Sequence, residues 1–141
     1  MDKVNRTLVK SLLTMADVVE ARDTYTGGHL WRVSQFSKLL AIEMGLDKKD
    51  VALVSIGGFL HDLGKVGVPD AILGKAGKLT EQEYEVIKTH PQIGKDLIEA
   101  HPLKELVQEA IYLHHERWDG KGYPNGHEEE QSPLFSRMVG L

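Results

Sequence analysis

The sequence predicts an all-α domain, a helical bundle with about six or seven helices and one Gly/Pro/Lys-rich loop. Three observations lead there. Apolar residues recur at steps of three and four along most of the chain, sustained apolar–polar alternation is scarce, and Gly, Pro and N-cap residues punctuate it at helix-length intervals. At 141 residues the chain has the size of one domain, 1–141, with a single core. Its 41% hydrophobic and 27% charged content excludes disorder, collagen-like repeats and a coiled-coil rod.

The first helix is expected over residues 2–22, where Val4, Leu8, Leu12, Met15 and Val19 line one face. This amphipathic helix serves either to cap the core or to pair with a second copy as a homodimer. Gly27-Gly28 interrupts, after which Leu30, Val33, Leu40 and Met44 resume the period as far as Gly45, a natural left-handed terminator. Asp47 is a good N-cap for the apolar run Val51 to Leu60, with Gly64 as its stop. From Gly64 to Gly77 the composition is that of a loop with turns. Thr80 and Glu83 form a capping box for a helix to about His90. Pro91 restarts the chain, and Pro102 punctuates before a helix from Leu103 to Trp118. Ser132 as N-cap with Pro133 at the first helical position opens a last helix that carries Leu134, Phe135, Met138 and Val139 inward. With no stop signal before Leu141, the expectation is a fragment of a longer chain, truncated at its C-terminus.

Composition narrows the chemistry. Seventeen Lys and Arg against 21 Asp and Glu, with the excess of acid in residues 71–141, argues against binding polymeric nucleic acid, which rests on clustered cations. No run of about 18 apolar residues forms a membrane segment and the N-terminus lacks a signal-peptide core, so a cytoplasmic location is expected. With no cysteine, any metal must be held by imidazole and carboxylate.

Seven histidines are therefore the residues to follow. His61 and Asp62 close an apolar helix, where an ionised carboxylate is costly unless it binds a cation or joins a buried hydrogen-bond network. Lys65 lies four residues after His61, on the same face if the helix persists, either meeting an anionic substrate or simply solvated. His114 and His115 are adjacent, and on a helix neighbours diverge by about 100°. They serve two ions, or one ion and one substrate, or one core and one surface position. His29 and His90 stand at helix boundaries, as caps, packing residues or ligands, and His101 and His127 read as solvated. Together, four or five imidazoles and a carboxylate spread over several helices form the ligand set of a divalent-metal hydrolase in a bundle.

Two stretches carry a family resemblance. His61-Asp62-Leu63-Gly64-Lys65 with Val66-Gly67-Val68-Pro69-Asp70, and His114-His115-Glu116-Arg117-Trp118-Asp119-Gly120-Lys121-Gly122-Tyr123-Pro124, resemble the two signatures of the HD-GYP domain, a bacterial subgroup of the HD phosphohydrolases. Arg22 to His29, Leu73 to Thr80 and His90 to Gly94 add to the resemblance, which runs from about Ala16 to Leu141. It implies hydrolysis of the second messenger cyclic di-GMP to the linear dinucleotide, and in some members on to GMP, in bacterial signal transduction. It also implies two divalent metals, iron or manganese, held by His29, His61, Asp62, His90, His114 and His115, with Asp62 bridging. Lys65 would contact the scissile phosphate, and Gly122, Tyr123 and Pro124 would border the substrate. Three-metal members carry a glutamate where this chain has Tyr25, hence the expectation of two. His127 and Glu129 depart from the usual loop pattern, and a further carboxylate ligand expected beyond Leu141 is absent from this chain. The alternatives are an HD phosphohydrolase for another nucleotide and a catalytically weak module docking partner signalling proteins. A regulatory sensory domain is a further implied partner.

Overall fold

The computed structural model describes residues 2–23 and 27–140. In order it contains α1 (Lys3–Glu20), α2 (His29–Glu43), α3 (Lys48–Leu60), a 3-10 turn (Leu63–Gly67), α4 (Asp70–Leu73), α5 (Glu81–Ile87), α6 (His90–Ile98), α7 (Lys104–Leu113), a second 3-10 turn (Glu129–Gln131) and α8 (Leu134–Val139). α4 is one turn inside the expected Gly/Pro/Lys loop, and the other seven helices are the expected bundle. Among the described residues the only β feature is an isolated bridge between Asp119 and Glu128.

Local signals account for most boundaries. Asp2 accepts from the Asn5 amide at 2.7 Å to cap α1, and Asp47 accepts from Asp50 at 2.8 Å to cap α3. Gly45 takes φ 76° just past α2, where a side chain would strain the backbone. At α5 the Thr80 hydroxyl accepts from the Glu83 amide while the Glu83 carboxylate accepts from the Thr80 amide.

The core joins α1, α2, α3, α6 and α7 through Leu12, Ala16, Leu30, Leu60, Ile98, Val107 and Ile111. Burying each large aliphatic side chain there contributes about 1.5–3 kcal/mol. A second cluster, Ala41, Val54 and Met138, seats α8 on α2 and α3.

Four expectations are corrected. The inward stripe of α1 is Leu12, Ala16 and Val19, while Val4 and Met15 are exposed, because Ala16 completes the i, i+4 step from Leu12. Ser132 does not cap α8: Pro133 holds the cap position, and the buried Ser132 hydroxyl has no protein partner. Gly64 stops no helix, because α3 has already ended at Leu60. Gly64 is instead where the 3-10 turn presses on α6, so that a Cβ there would lie 2.6 Å from the Gly94 nitrogen and nearer still to the His90 carbonyl. The helix expected over residues 103–118 ends at Leu113, since the His114 ring takes over its last carbonyls.

Candidate metal centre

Three of the histidines sit just past a helix end, and each ring closes that end. His61 Nδ1 donates to Gly58 O at 2.6 Å, His90 Nδ1 to Ile87 O at 2.7 Å, and His114 Nδ1 to Ile111 O at 2.9 Å. A carbonyl only accepts, so Nδ1 carries the hydrogen and a neutral ring presents a lone pair at Nε2. The same bond satisfies an orphan carbonyl of α3, of α5 or of α7 and aims Nε2 inward. These residues are caps and candidate ligands at once.

Four rings converge on Asp62, and its two oxygens divide them. Oδ2 lies 3.1 Å from His61 Nε2 and 3.6 Å from His29 Nε2, while Oδ1 lies 3.3 Å from His90 Nε2 and 3.7 Å from His114 Nε2. Two candidate metal groups result, one of His29, His61 and Asp62 and one of Asp62, His90, His114 and His115, with donor atoms within 4.8 Å of one another in each. His90 Nε2 and His114 Nε2 are 3.3 Å apart. Two lone pairs held that close have no hydrogen to share, and a cation between them and Asp62 is the arrangement that satisfies both. The donor set thus fits divalent metal.

The electrostatics agree. Burial opposes ionisation of Asp62, but His61, His90 and Lys65 outweigh it and hold the carboxyl well below its usual range. Burial keeps His114 well below the ordinary imidazole value, with His61 and His115 adding to it, and burial and His90 push His115 down to about 4. His29, half-exposed at the start of α2, is lowered by burial and then by His61. These three rings are neutral at pH 7, the form in which imidazole can bind a metal.

Every sequence-predicted ligand, His29, His61, Asp62, His90, His114 and His115, is therefore in one place. His114 and His115 share a group despite their adjacency, because the helix has ended and their ring centroids are 4.1 Å apart. Lys65 is not carried there on a helical face with His61, since the chain turns into a 3-10 turn after Asp62. Its Nζ reaches Asp62 Oδ2 at 3.2 Å and Asp23 Oδ2 at 3.4 Å, in a narrow recess with Glu20. Tyr123 lies flat on His115, with centroids 4.7 Å apart and an 18° angle, and its edge-on neighbour is Tyr84. Burial and Tyr84 push its phenol up. A side chain on Gly122 would strike the Arg117 nitrogen at 2.5 Å and the Glu116 Cα at 2.7 Å, so only glycine lets this loop lie on the His115 turn. Pro124 follows through a cis bond from Tyr123. The reading built on Tyr25 falls outside the described residues.

Sequence reasoning missed three supporting residues. Asp23 is buried beside Lys65, Glu20 accepts from the Leu30 amide at 3.0 Å in the first turn of α2, and buried Glu116 accepts from the Asn125 amide at 2.6 Å and the His127 amide at 3.0 Å. Asp23 and Glu116 both stand inside quoted motifs, but nothing local marks the bonds made by Glu20 or Glu116, whose partners lie 10 or 9 and 11 residues away. His127 is half-buried with an unpaired Nδ1, and His101 accepts from the Leu103 amide at 3.1 Å, so neither is the freely solvated residue expected. Above the imidazoles a cleft of about 600 Å³ opens between α2 and the end of α8, within the range of small-molecule sites. No helix among the described residues is long and apolar enough to cross a membrane.

Comparison with known proteins gives concordant results. Residues 13–141 match the family model described as HD domain. The whole chain is 38% identical over 143 residues to 38% of the cyclic di-GMP phosphodiesterase response regulator RpfG of Xanthomonas campestris pv. campestris. It is 40% identical over 124 residues, 86% of this chain and 34% of the relative, to a cyclic di-GMP phosphodiesterase of Thermotoga maritima. It is also 34% identical over its full length to 27% of the 3'3'-cGAMP-specific phosphodiesterase 2 of Vibrio cholerae. The chain thus spans between 27% and 38% of these relatives' own lengths.

Proposed function

The chain belongs to the HD domain family, and from that premise we propose that it is a metal-dependent phosphodiesterase that opens cyclic di-GMP to the linear dinucleotide pGpG. The observation that carries this reading is the division of the imidazoles by the two oxygens of Asp62. Two divalent cations, iron or manganese, would be held by His29 and His61 on one side of Asp62 and by His90, His114 and His115 on the other. Such ions supply Lewis-acid activation of water and neutralise phosphate charge.

The chain's own residues do the rest. The Lys65 ammonium faces the ionised Asp62 at 3.2 Å, and the backbone carbonyls of Gly58, Ile87 and Ile111 hold three rings at fixed angles. Lys65, braced by Asp23, offers its ammonium to an oxygen of the scissile phosphate. Water adds to that phosphorus, the P–O3′ bond breaks, and the sugar oxygen leaves with a proton. Gly122, Tyr123 and Pro124 border the substrate, with Tyr123 fixed against His115.

The test is anaerobic incubation of the chain with Fe(II) or Mn(II) and cyclic di-GMP, products separated by chromatography and metal counted on the same sample, with 3'3'-cGAMP run in parallel. Linear dinucleotide with about two metals per chain is expected. Asp62→Asn should lose both metal and product while keeping its helical spectrum. Two bound metals with no product from either dinucleotide would overturn the reading, and full turnover by Asp62→Asn would remove the bridging role.

A further inference from the structure

One wall of the cleft above the imidazoles is a single stripe of α2. His29, Arg32, Val33 and Phe36 line it, facing Met138 and Val139 of α8. At 1.5 Å rise per residue, Arg32 stands about 4.5 Å and Phe36 about 10.5 Å along the axis from His29. His29 faces Asp62, so the stripe begins at the metal site and runs outward from it.

Arg32 and Phe36 are poorly explained by packing. Phe36 is 68% exposed, the highest value among the exposed large apolar side chains, and joins neither core cluster. Arg32 is exposed and is the one Lys or Arg side chain lining this cleft. Its Nη2 donates to Gly27 O at 3.1 Å, which engages one corner of a guanidinium with five donors. Lys65 cannot take its place, because that ammonium lies in the recess shared with Asp23 and Glu20. A cyclic dinucleotide has two phosphodiesters, and only one sits at the reacting centre at a time. The other carries a full negative charge and adjoins a flat purine. A planar cation followed one turn later by an exposed aromatic ring is complementary to that pair, since guanidinium binds phosphate oxygens bidentately and bases stack on aromatic faces.

We infer that this stripe of α2 is a nucleotide-binding wall, in which Arg32 holds the phosphate that is not being cleaved and Phe36 stacks on the neighbouring purine. The inference rests on the cyclic-dinucleotide reading of the site and names the residues that hold the half of the substrate away from the metals.

The experiment uses the full chain and the variants Arg32→Gln and Phe36→Ala, with Leu39→Ala as the control, an exposed α2 residue that does not line the cleft. Binding of cyclic di-GMP is measured by calorimetry in EDTA, where turnover is absent, and kcat and KM are measured on the Mn(II)-loaded protein. Bis(p-nitrophenyl) phosphate, which has neither a second phosphate nor a purine, serves as the small diester. Each wall variant should weaken Kd and raise KM about ten-fold, through loss of a phosphate contact in Arg32→Gln and of a stacked base in Phe36→Ala. Mn(II) content, kcat and small-diester turnover should change less than two-fold, and Leu39→Ala should match the wild type. Wild-type Kd and KM in both wall variants would overturn the inference, as would a wild-type chain that fails to bind cyclic di-GMP in EDTA. Parallel loss of small-diester turnover and Mn(II) in Arg32→Gln would overturn it too, showing Arg32 to be a brace of the Gly27 turn. Binding that depends on Arg32 and Phe36 without hydrolysis would uphold the wall and remove the phosphodiesterase reading. Hydrolysis that is indifferent to both would remove the wall alone.

Discussion

Gly64→Ala should damage the metal site by a purely steric route. The added Cβ would lie 2.6 Å from the Gly94 nitrogen and 2.7 Å from the His90 carbonyl carbon, with the carbonyl oxygen closer still. Carbon atoms prefer separations of about 3.5–4.0 Å, so backbone must part from backbone by at least about 0.8 Å. No side chain can rotate to relieve this. The segment displaced is the first turn of α6, which carries His90, and His90 Nε2 is 3.3 Å from Asp62 Oδ1, only two residues before Gly64. Metal–ligand distances tolerate about 0.2 Å, a quarter of that displacement. Overpacking of this kind costs about 1–3 kcal/mol. For a chain of this length each kcal/mol lowers Tm by about 4 °C, so a metal-free loss of about 4–12 °C is expected. Calorimetry in EDTA gives Tm, and Mn(II) counting on the same preparation gives site integrity, where the group built on His90 should be lost. Gly94→Ala meets the Ile111 Cγ2 methyl at 2.5 Å and the Gly64 nitrogen only at 3.2 Å, so it should cost less than Gly64→Ala, whose clashes are all with backbone. Gly27→Ala has nothing within 4 Å and should change Tm by no more than about 2 °C. Wild-type Tm and full Mn(II) content in Gly64→Ala would refute the reasoning.

Two further outcomes follow from the supporting groups. Glu116→Gln keeps one acceptor but loses the charge-assisted bond to the Asn125 or His127 amide, a loss of about 1.5–3 kcal/mol locally. At least one of those two amides should exchange about ten- to a hundred-fold faster by hydrogen-exchange NMR, and unchanged protection of both would show that the carboxylate does not hold the loop. The metal-free chain should lose stability as pH falls below 6.5. His114 and His115 bind protons less readily folded than unfolded, so the unfolded state gains from acid first, and for His115 the loss continues down to about 4. Asp62, held below 3.8, adds stability above that pH and loses it only further down. Thermal scans in EDTA from pH 7.5 to 4.5 read this, and a Tm independent of pH across that range would contradict neutral buried imidazoles.

Much of this protein was legible in the sequence because the signals are local. Capping needs a hydroxyl or carboxylate next to the amides it serves, so Asp2, Asp47 and the Thr80–Glu83 pair announce their helices without any tertiary information. The ligand residue types were equally visible, since a chain without cysteine has only imidazole and carboxylate to offer a divalent ion. Tertiary structure decided what local pattern leaves open. Adjacency on a helix argued against a shared site for His114 and His115, but a helix that ends at Leu113 brings both rings to Asp62. Gly64 carries the same local signature as a helix terminator, and only the approach of α6 makes it a spacer. Glu20 and Glu116 look like ordinary surface acids until the folded chain brings Leu30, Asn125 and His127 amides to them. A cap spans three residues, whereas Asp62 gathers rings from positions 29 to 115, and contacts of that separation exist only once packing has placed the helices.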